Sequence, residues 1–158
     1  MANPNDYDAR ATLMWASSLS HNGLTACGRP FIMSVHQIEH AVSGLFDNVA
    51  HGAGLAALWP AWAKVVAREY PMRFAELGYN AFNLDRRLTL ENAAIIAIEF
   101  MEKYFEEIGI PHHLKDFGIK EEDLPKIANL YTFNGKRTIQ DMIYLDYDKC
   151  LEILKLAY

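Results

Sequence analysis

The sequence predicts an all-α fold, a bundle-like packing of about seven helices in a single domain spanning residues 1–158. Three observations carry that prediction. Apolar residues recur three and four positions apart in seven separate segments, the spacing that lines one face of a helix. Clusters of glycine, proline and asparagine punctuate those segments, and no stretch shows the apolar–polar alternation of a half-buried strand. The 158-residue length suffices for one buried core, and 51% hydrophobic with 22% charged residues is ordinary for a globular domain.

The elements follow in order. Asn5 or Asp6 caps a first helix with Asp8 in its first turn and Ala11, Met14, Trp15, Ala16 and Leu19 at helical spacing. It ends near Asn22-Gly23, and Gly23 to Pro30 is a loop. A second helix from about Phe31 to Phe46 buries Val35, Ile38, Val42 and Leu45. A third begins near Gly52 and reaches Arg68. Pro60 should interrupt or kink it, because proline lacks the amide donor and crowds the preceding turn. Trp59 and Trp62 on this helix read as core or subunit contacts rather than a cofactor platform. Pro71 to Phe82 forms a short fourth helix. Thr89 caps a fifth, which is apolar around much of its circumference, suits a central position, and stops at Gly109 and Pro111. His112 and His113 lie in a turn. Glu121 to Leu130 is a sixth helix, Tyr131 to Arg137 a turn around Asn134-Gly135, and Asp146 caps a closing helix over Tyr147 to Ala157.

Composition excludes some functions. A net charge of -5, with 15 basic residues that form no patch, argues against a nucleic-acid partner. No apolar run is long enough to span a bilayer, and the polar start Met1 to Asp6 lacks the features of a signal peptide, so a cytoplasmic protein without a membrane partner is expected. Cys27 and Cys150 are too few for a disulfide framework or a thiolate zinc site and read as buried free thiols.

The chemistry concentrates in Val35-His36-Gln37-Ile38-Glu39-His40 and the following Phe46 to Ala56, which hold three of the six histidines. His36 and His40 lie one turn apart on one helical face, a spacing that lets two imidazoles converge on an ion. His51 opens the next helix after a chain reversal and can fold back onto the same point. Imidazole donors suit iron, zinc, copper or nickel better than calcium or magnesium. Isolated helical histidines are also common without any metal. Glu39 reads as a solvated or capping carboxylate pointing elsewhere, with orientation of an imidazole as the second reading. Gly52-Ala53-Gly54-Leu55-Ala56-Ala57 fits the G-x-G-x-x-A pattern of a dinucleotide-binding turn, but a helix rather than a buried strand precedes it, so the small residues are assigned to close packing around His51. Asp47 and His51 also have D-x3-H spacing.

The strings Ile38-Glu39-His40, Phe46-Asp47-Asn48-Val49-Ala50-His51-Gly52-Ala53-Gly54-Leu55-Ala56 and Trp59-Pro60-Ala61-Trp62 resemble the metal-binding signature of the iron-containing alcohol dehydrogenases, in particular their butanol dehydrogenase branch. His21-Asn22-Gly23-Leu24 and Gly109 to Gly118 also resemble the family, with His21 structural. The resemblance implies a C-terminal helical domain of the dehydroquinate synthase-like α type. It further implies that the N-terminal nucleotide-binding domain, and the upstream aspartate and histidine ligands, are absent from these residues. By the same resemblance His36 and His51 match two iron ligands, and His40 matches a catalytic histidine that lines the substrate and nicotinamide pocket, which replaces the simple pairing of His36 with His40. The implied cofactors are Fe(II), or zinc in its place, and NAD or NADP bound by the N-terminal domain. The implied reaction interconverts an alcohol and an aldehyde. The isolated chain is expected to be inactive, to lack its N-terminal partner half, and to form a homo-oligomer through exposed apolar surface. A non-catalytic helical module that binds a metal or a partner is the alternative.

Overall fold

The computed structural model describes residues 3–28 and 31–158. Among them are seven α-helices: α1 Tyr7–His21, α2 Ser34–Ser43, α3 His51–Ala67, α4 Met72–Ala81, α5 Leu90–Glu107, α6 Leu124–Tyr131 and α7 Tyr147–Leu156. The fold is all-α. The chain divides into two compact units, Met1–Ile32 and Met33–Tyr158. In the first, the Asp6 side chain caps α1 by accepting from the Ala9 amide at 3.0 Å, and Arg10 Nη1 donates to the Pro4 carbonyl at 2.8 Å. Gly23, at φ 86°, turns the chain into a short 3-10 turn at Leu24–Ala26. Arg29 and Pro30 of the expected loop lie outside the described residues.

The second unit is built around α3. Leu58, Ala63 and Val66 are completely buried, and α2, α4, α5 and α7 all pack against this helix. Its apolar content explains the position, since a helix hydrophobic around its circumference must be covered on every side. The structure assigns that place to α3 and not to α5. On α5 the buried residues are the small Ala93, Ala94 and Ala97 with Ile98, while Ile95 and Phe100 are exposed. Nor does Pro60 interrupt α3, which is helical from His51 to Ala67. Proline removes one backbone hydrogen bond, and burial of the ring and its neighbours in the core holds the helix through it. Trp62 belongs to that core, meeting the Phe74 ring edge-on at 5.7 Å, with Trp59 6.3 Å from the same ring.

α2 is shorter than its sequence suggests. The amides of Leu45 and Phe46 both return to the Val42 carbonyl, which closes the helix early and leaves Leu45 exposed. α6 packs against both α2 and α7. Between α6 and α7 two strands, β1 Ile139–Gln140 and β2 Tyr144–Leu145, pair antiparallel with Ile139 opposite Leu145. Two residues are too few for strand alternation to show in the sequence, and the hairpin is held by burial of Ile139, Ile143 and Leu145.

α4 and α5 approach closely at Gly78, where an added Cβ would lie 2.6 Å from Leu84 Cδ1 and 3.2 Å from the Ala93 carbonyl oxygen. Gly78→Val is therefore expected to destabilise the unit by about 2 kcal/mol through overpacking, measurable as a lowered urea midpoint.

The two thiols differ. Cys27 is exposed, contrary to the expectation of burial, because it follows a short turn rather than lying on a packed helix face. Cys150 is on the buried face of α7, and burial, with Asp146 nearby, pushes its pKa up to about 12. Thiolate is the reactive form. Iodoacetamide at mildly alkaline pH is expected to label Cys27 rapidly and Cys150 only after denaturant is added, as read by peptide mass spectrometry. Among the described residues no helix is long and apolar enough to cross a membrane.

Candidate metal centre

α2 lies against α3 and α6, and this packing sets the geometry of the histidines. His36 and His40, one turn apart on α2, have ring centroids 6.3 Å apart and nearly perpendicular planes. The chain then reverses over residues 44–50, held by the buried Val49 and by Asn48 Nδ2 donating to the Phe117 carbonyl at 2.8 Å. That reversal delivers His51 as the first residue of α3, with its ring 5.3 Å from His36 and 5.4 Å from His40. Three imidazole rings thus gather between one helix and the start of the next.

Glu39 is the residue that sequence reasoning placed wrongly. Instead of meeting solvent, its side chain is 0% exposed, and Oε2 accepts a hydrogen bond from His51 Nδ1. Its Oε1 is buried without a hydrogen-bond partner. The signal was present in the helical spacing. Glu39 falls four residues after Val35 and three before Val42, within the stripe that α2 buries. Room for the carboxylate comes from Gly54, where a Cβ would stand 2.8 Å from Glu39 Oε1 and 2.9 Å from its Cγ. The amide-rich first turn of α3 favours a negative group there. Gly52 has no atom within 4 Å of a built Cβ, so close packing explains Gly54 and not Gly52.

Ligand atoms of Glu39, His40 and His51 all lie within 4.8 Å of one another, a group that contains His51 of the two expected donors and not His36. Nitrogen donors with a carboxylate at hand suit a divalent transition metal such as iron or zinc. A buried oxygen without a partner, as in Glu39, calls for an explanation, and a bound ion or a catalytic role supplies one. The residues therefore fit a metal.

Beside His40 runs a groove of about 260 Å³, lined in part by Gln37, Leu130, Tyr131, Phe133 and Arg137. Arg137 donates to Gln37 and lies 5.1 Å from the Phe133 ring and 5.9 Å from that of Tyr131. Phe133 and Asn134 take left-handed backbone angles of 50° and 58°, an uncommon state for phenylalanine. Ser34 donates to Asp141, so α2 is tied at both Ser34 and Gln37 to the segment following α6. None of these links was legible in the sequence, since the partners are about a hundred residues apart.

His21 closes α1 in the first unit. Asp47 is exposed in the reversal. His112 Nδ1 is 3.1 Å from the Ile110 carbonyl, and the His113 amide donates to Asp116 at 3.1 Å, so both histidines serve the turn they occupy.

The family model for the C-terminal part of the Fe-containing alcohol dehydrogenases matches residues 1–158. NADH-dependent butanol dehydrogenase A of Clostridium acetobutylicum is 35% identical over 159 residues, covering 100% of this chain and 41% of its own length. The B enzyme of the same organism is 37% identical over 154 residues, covering 96% and 39% respectively. The crystal structure of NADH-dependent butanol dehydrogenase A from Thermotoga maritima superposes with a TM-score of 0.90 at 35% identity, over 99% of this chain and 40% of that one. The chain thus spans about two fifths of the length of these relatives. By sequence and by fold, it belongs to the Fe-containing alcohol dehydrogenase family and corresponds to that family's C-terminal, helical part.

Proposed function

We propose that this chain is the metal-holding part of an NAD- or NADP-linked dehydrogenase that interconverts a small alcohol and its aldehyde, in the manner of the butanol dehydrogenases it is similar to. The observation that carries the reading is the convergence of His36, His40 and His51, with ring centroids 5.3 to 6.3 Å apart. His36 and His51 hold the metal, Fe(II) or zinc, as neutral nitrogen donors. When bound, the metal supplies Lewis acidity that stabilises negative charge on the alcohol or aldehyde oxygen. His40, facing both the other imidazoles and the groove, carries the alcohol proton away during oxidation and returns it during reduction. The apolar part of the groove, Leu130 and Phe133, receives the carbon chain. The nicotinamide belongs to an N-terminal nucleotide-binding half, so the 158-residue polypeptide on its own is proposed to turn nothing over.

Metal analysis by mass spectrometry on untagged protein tests the ligands, paired with butanol and butyraldehyde assays using both nicotinamides and added Fe(II). The expected result is bound metal in the wild type, little in His36→Ala, and no turnover by the 158-residue chain. With a nucleotide-binding half supplied, His40→Gln is expected to keep the metal and lose about 10²-fold in kcat, the usual size of a general acid–base contribution. Full metal retention in His36→Ala would remove it from the ligand set. Turnover by the chain alone would overturn the division of labour. The exposed Leu13, Met14 and Trp15 of α1 support self-association, which sedimentation velocity would detect as a dimer or larger species.

A further inference from the structure

We infer that Glu39 is a positioning residue for His51, and that Gly54 is the residue that lets it do so. The inference rests on the reading of His51 as a metal donor. A carboxylate can only accept hydrogen bonds, so the contact between Glu39 Oε2 and His51 Nδ1 requires the proton on Nδ1 and leaves the lone pair on Nε2. One tautomer and one ring orientation are thereby selected. His51 is half-exposed at the first position of its helix, and among the described hydrogen bonds its ring makes only this one, with the His36 and His40 rings beside it at 5.3 and 5.4 Å. Glu39, by contrast, is completely enclosed and cannot follow a moving ring. The rigid member of the pair orients the mobile one.

Gly54 completes the arrangement. With any larger residue at that position, a Cβ would stand 2.8 Å from Glu39 Oε1, 2.9 Å from Glu39 Cγ and 3.0 Å from Val49 Cγ1. The carboxylate would have to withdraw along α2, away from His51. Glu39 Oε1 gains no hydrogen bond from its place in the core, so the fold itself derives little from this carboxylate. Its value lies in what Oε2 does to His51.

The test is made on the full chain with two readouts. Long-range 15N–1H correlation on metal-free, 15N-labelled protein at mildly alkaline pH reports the His51 tautomer. Titration with Co(II), followed by its visible absorption, reports affinity. The wild type is expected to show the Nδ1–H form. Glu39→Ala should shift toward Nε2–H and bind Co(II) about 10- to 100-fold more weakly. Glu39→Gln, whose carbonyl oxygen can still accept from Nδ1, should restore most of the tautomer preference. Gly54→Ala should reproduce the Glu39→Ala effects in part, whereas Gly52→Ala, which meets no atom, should change neither readout. An unchanged tautomer in both Glu39→Ala and Gly54→Ala overturns the inference; should Glu39→Ala fail to fold, Gly54→Ala alone decides, since it retains every polar group. If the wild type itself takes up no Co(II), the metal reading falls, while the tautomer measurement still decides whether Glu39 holds His51.

Discussion

His51→Ala is expected to cost the protein its metal and about 2 kcal/mol of stability, the second effect arising from the residue left behind. Glu39 lies at 0% exposure with one oxygen bonded to His51 and the other to nothing. Removing the imidazole leaves a buried carboxylate with no side-chain partner, relieved only by such water as the vacated ring admits. The larger figures measured for broken buried ion pairs are not expected, because His51 is half-exposed and water reaches its place. A second substitution separates the two effects. Glu39→Leu in the wild-type background exchanges a poorly satisfied carboxylate for an apolar group of similar size and should leave the urea midpoint unchanged or raised. In the His51→Ala background the same change should recover most of the lost stability without recovering the metal. The two substitutions are in contact and should be strongly non-additive. Additive stability effects would show that Glu39 does not depend on His51 for its polar partner, and the electrostatic account would then be wrong.

The contrast between Glu39 and its neighbours shows which parts of this molecule a sequence discloses. Boundaries marked by a capping side chain or a terminal glycine were legible, while the ends of α2 were not: Asp6, Thr89 and Asp146 each cap a helix through their side chains, and Gly109 takes φ 73° after α5. The meeting of His36, His40 and His51 was legible too, because a helical turn and one chain reversal are short-range geometry. Glu39 failed because residue type was weighed above position: a charged side chain reads as solvated even where the helical spacing places it in the buried stripe with Val35, Ile38 and Val42. α5 failed for a related reason. Periodicity counts apolar residues but not how many faces the neighbours cover, and α5 leaves Ile95, Phe100 and Tyr104 exposed. The ties from Ser34 to Asp141 and from Gln37 to Arg137 join residues about a hundred positions apart, where local pattern has no purchase.

Leu58→Ala is the substitution expected to destabilise the helical unit most, by about 3 kcal/mol, the middle of the range for a large-to-small change at a well-packed site. Leu58 is 0% exposed on the one helix that α2, α4, α5 and α7 all contact, so its methyl groups have neighbours on several sides. A cavity at such a place closes poorly, because each surrounding helix is already braced against another, and the loss includes both transfer and unfilled volume. Ile95→Ala on α5 is the matched control: the side chain is 51% exposed, and its removal should change stability by less than about 0.5 kcal/mol. Urea unfolding followed by circular dichroism measures both. The consequence extends to the metal. Leu58 lies two turns along α3 from His51, and α3 is the element that carries His51 toward α2. A loosened α3 should therefore weaken Co(II) binding in Leu58→Ala while the His51 tautomer, fixed by Glu39 across a direct contact, persists as long as the unit is folded. Loss of metal affinity with the tautomer retained would separate the helix that carries the ligand from the carboxylate that aims it. Equal stability of Leu58→Ala and Ile95→Ala would mean that α3 is not the helix around which this unit is packed.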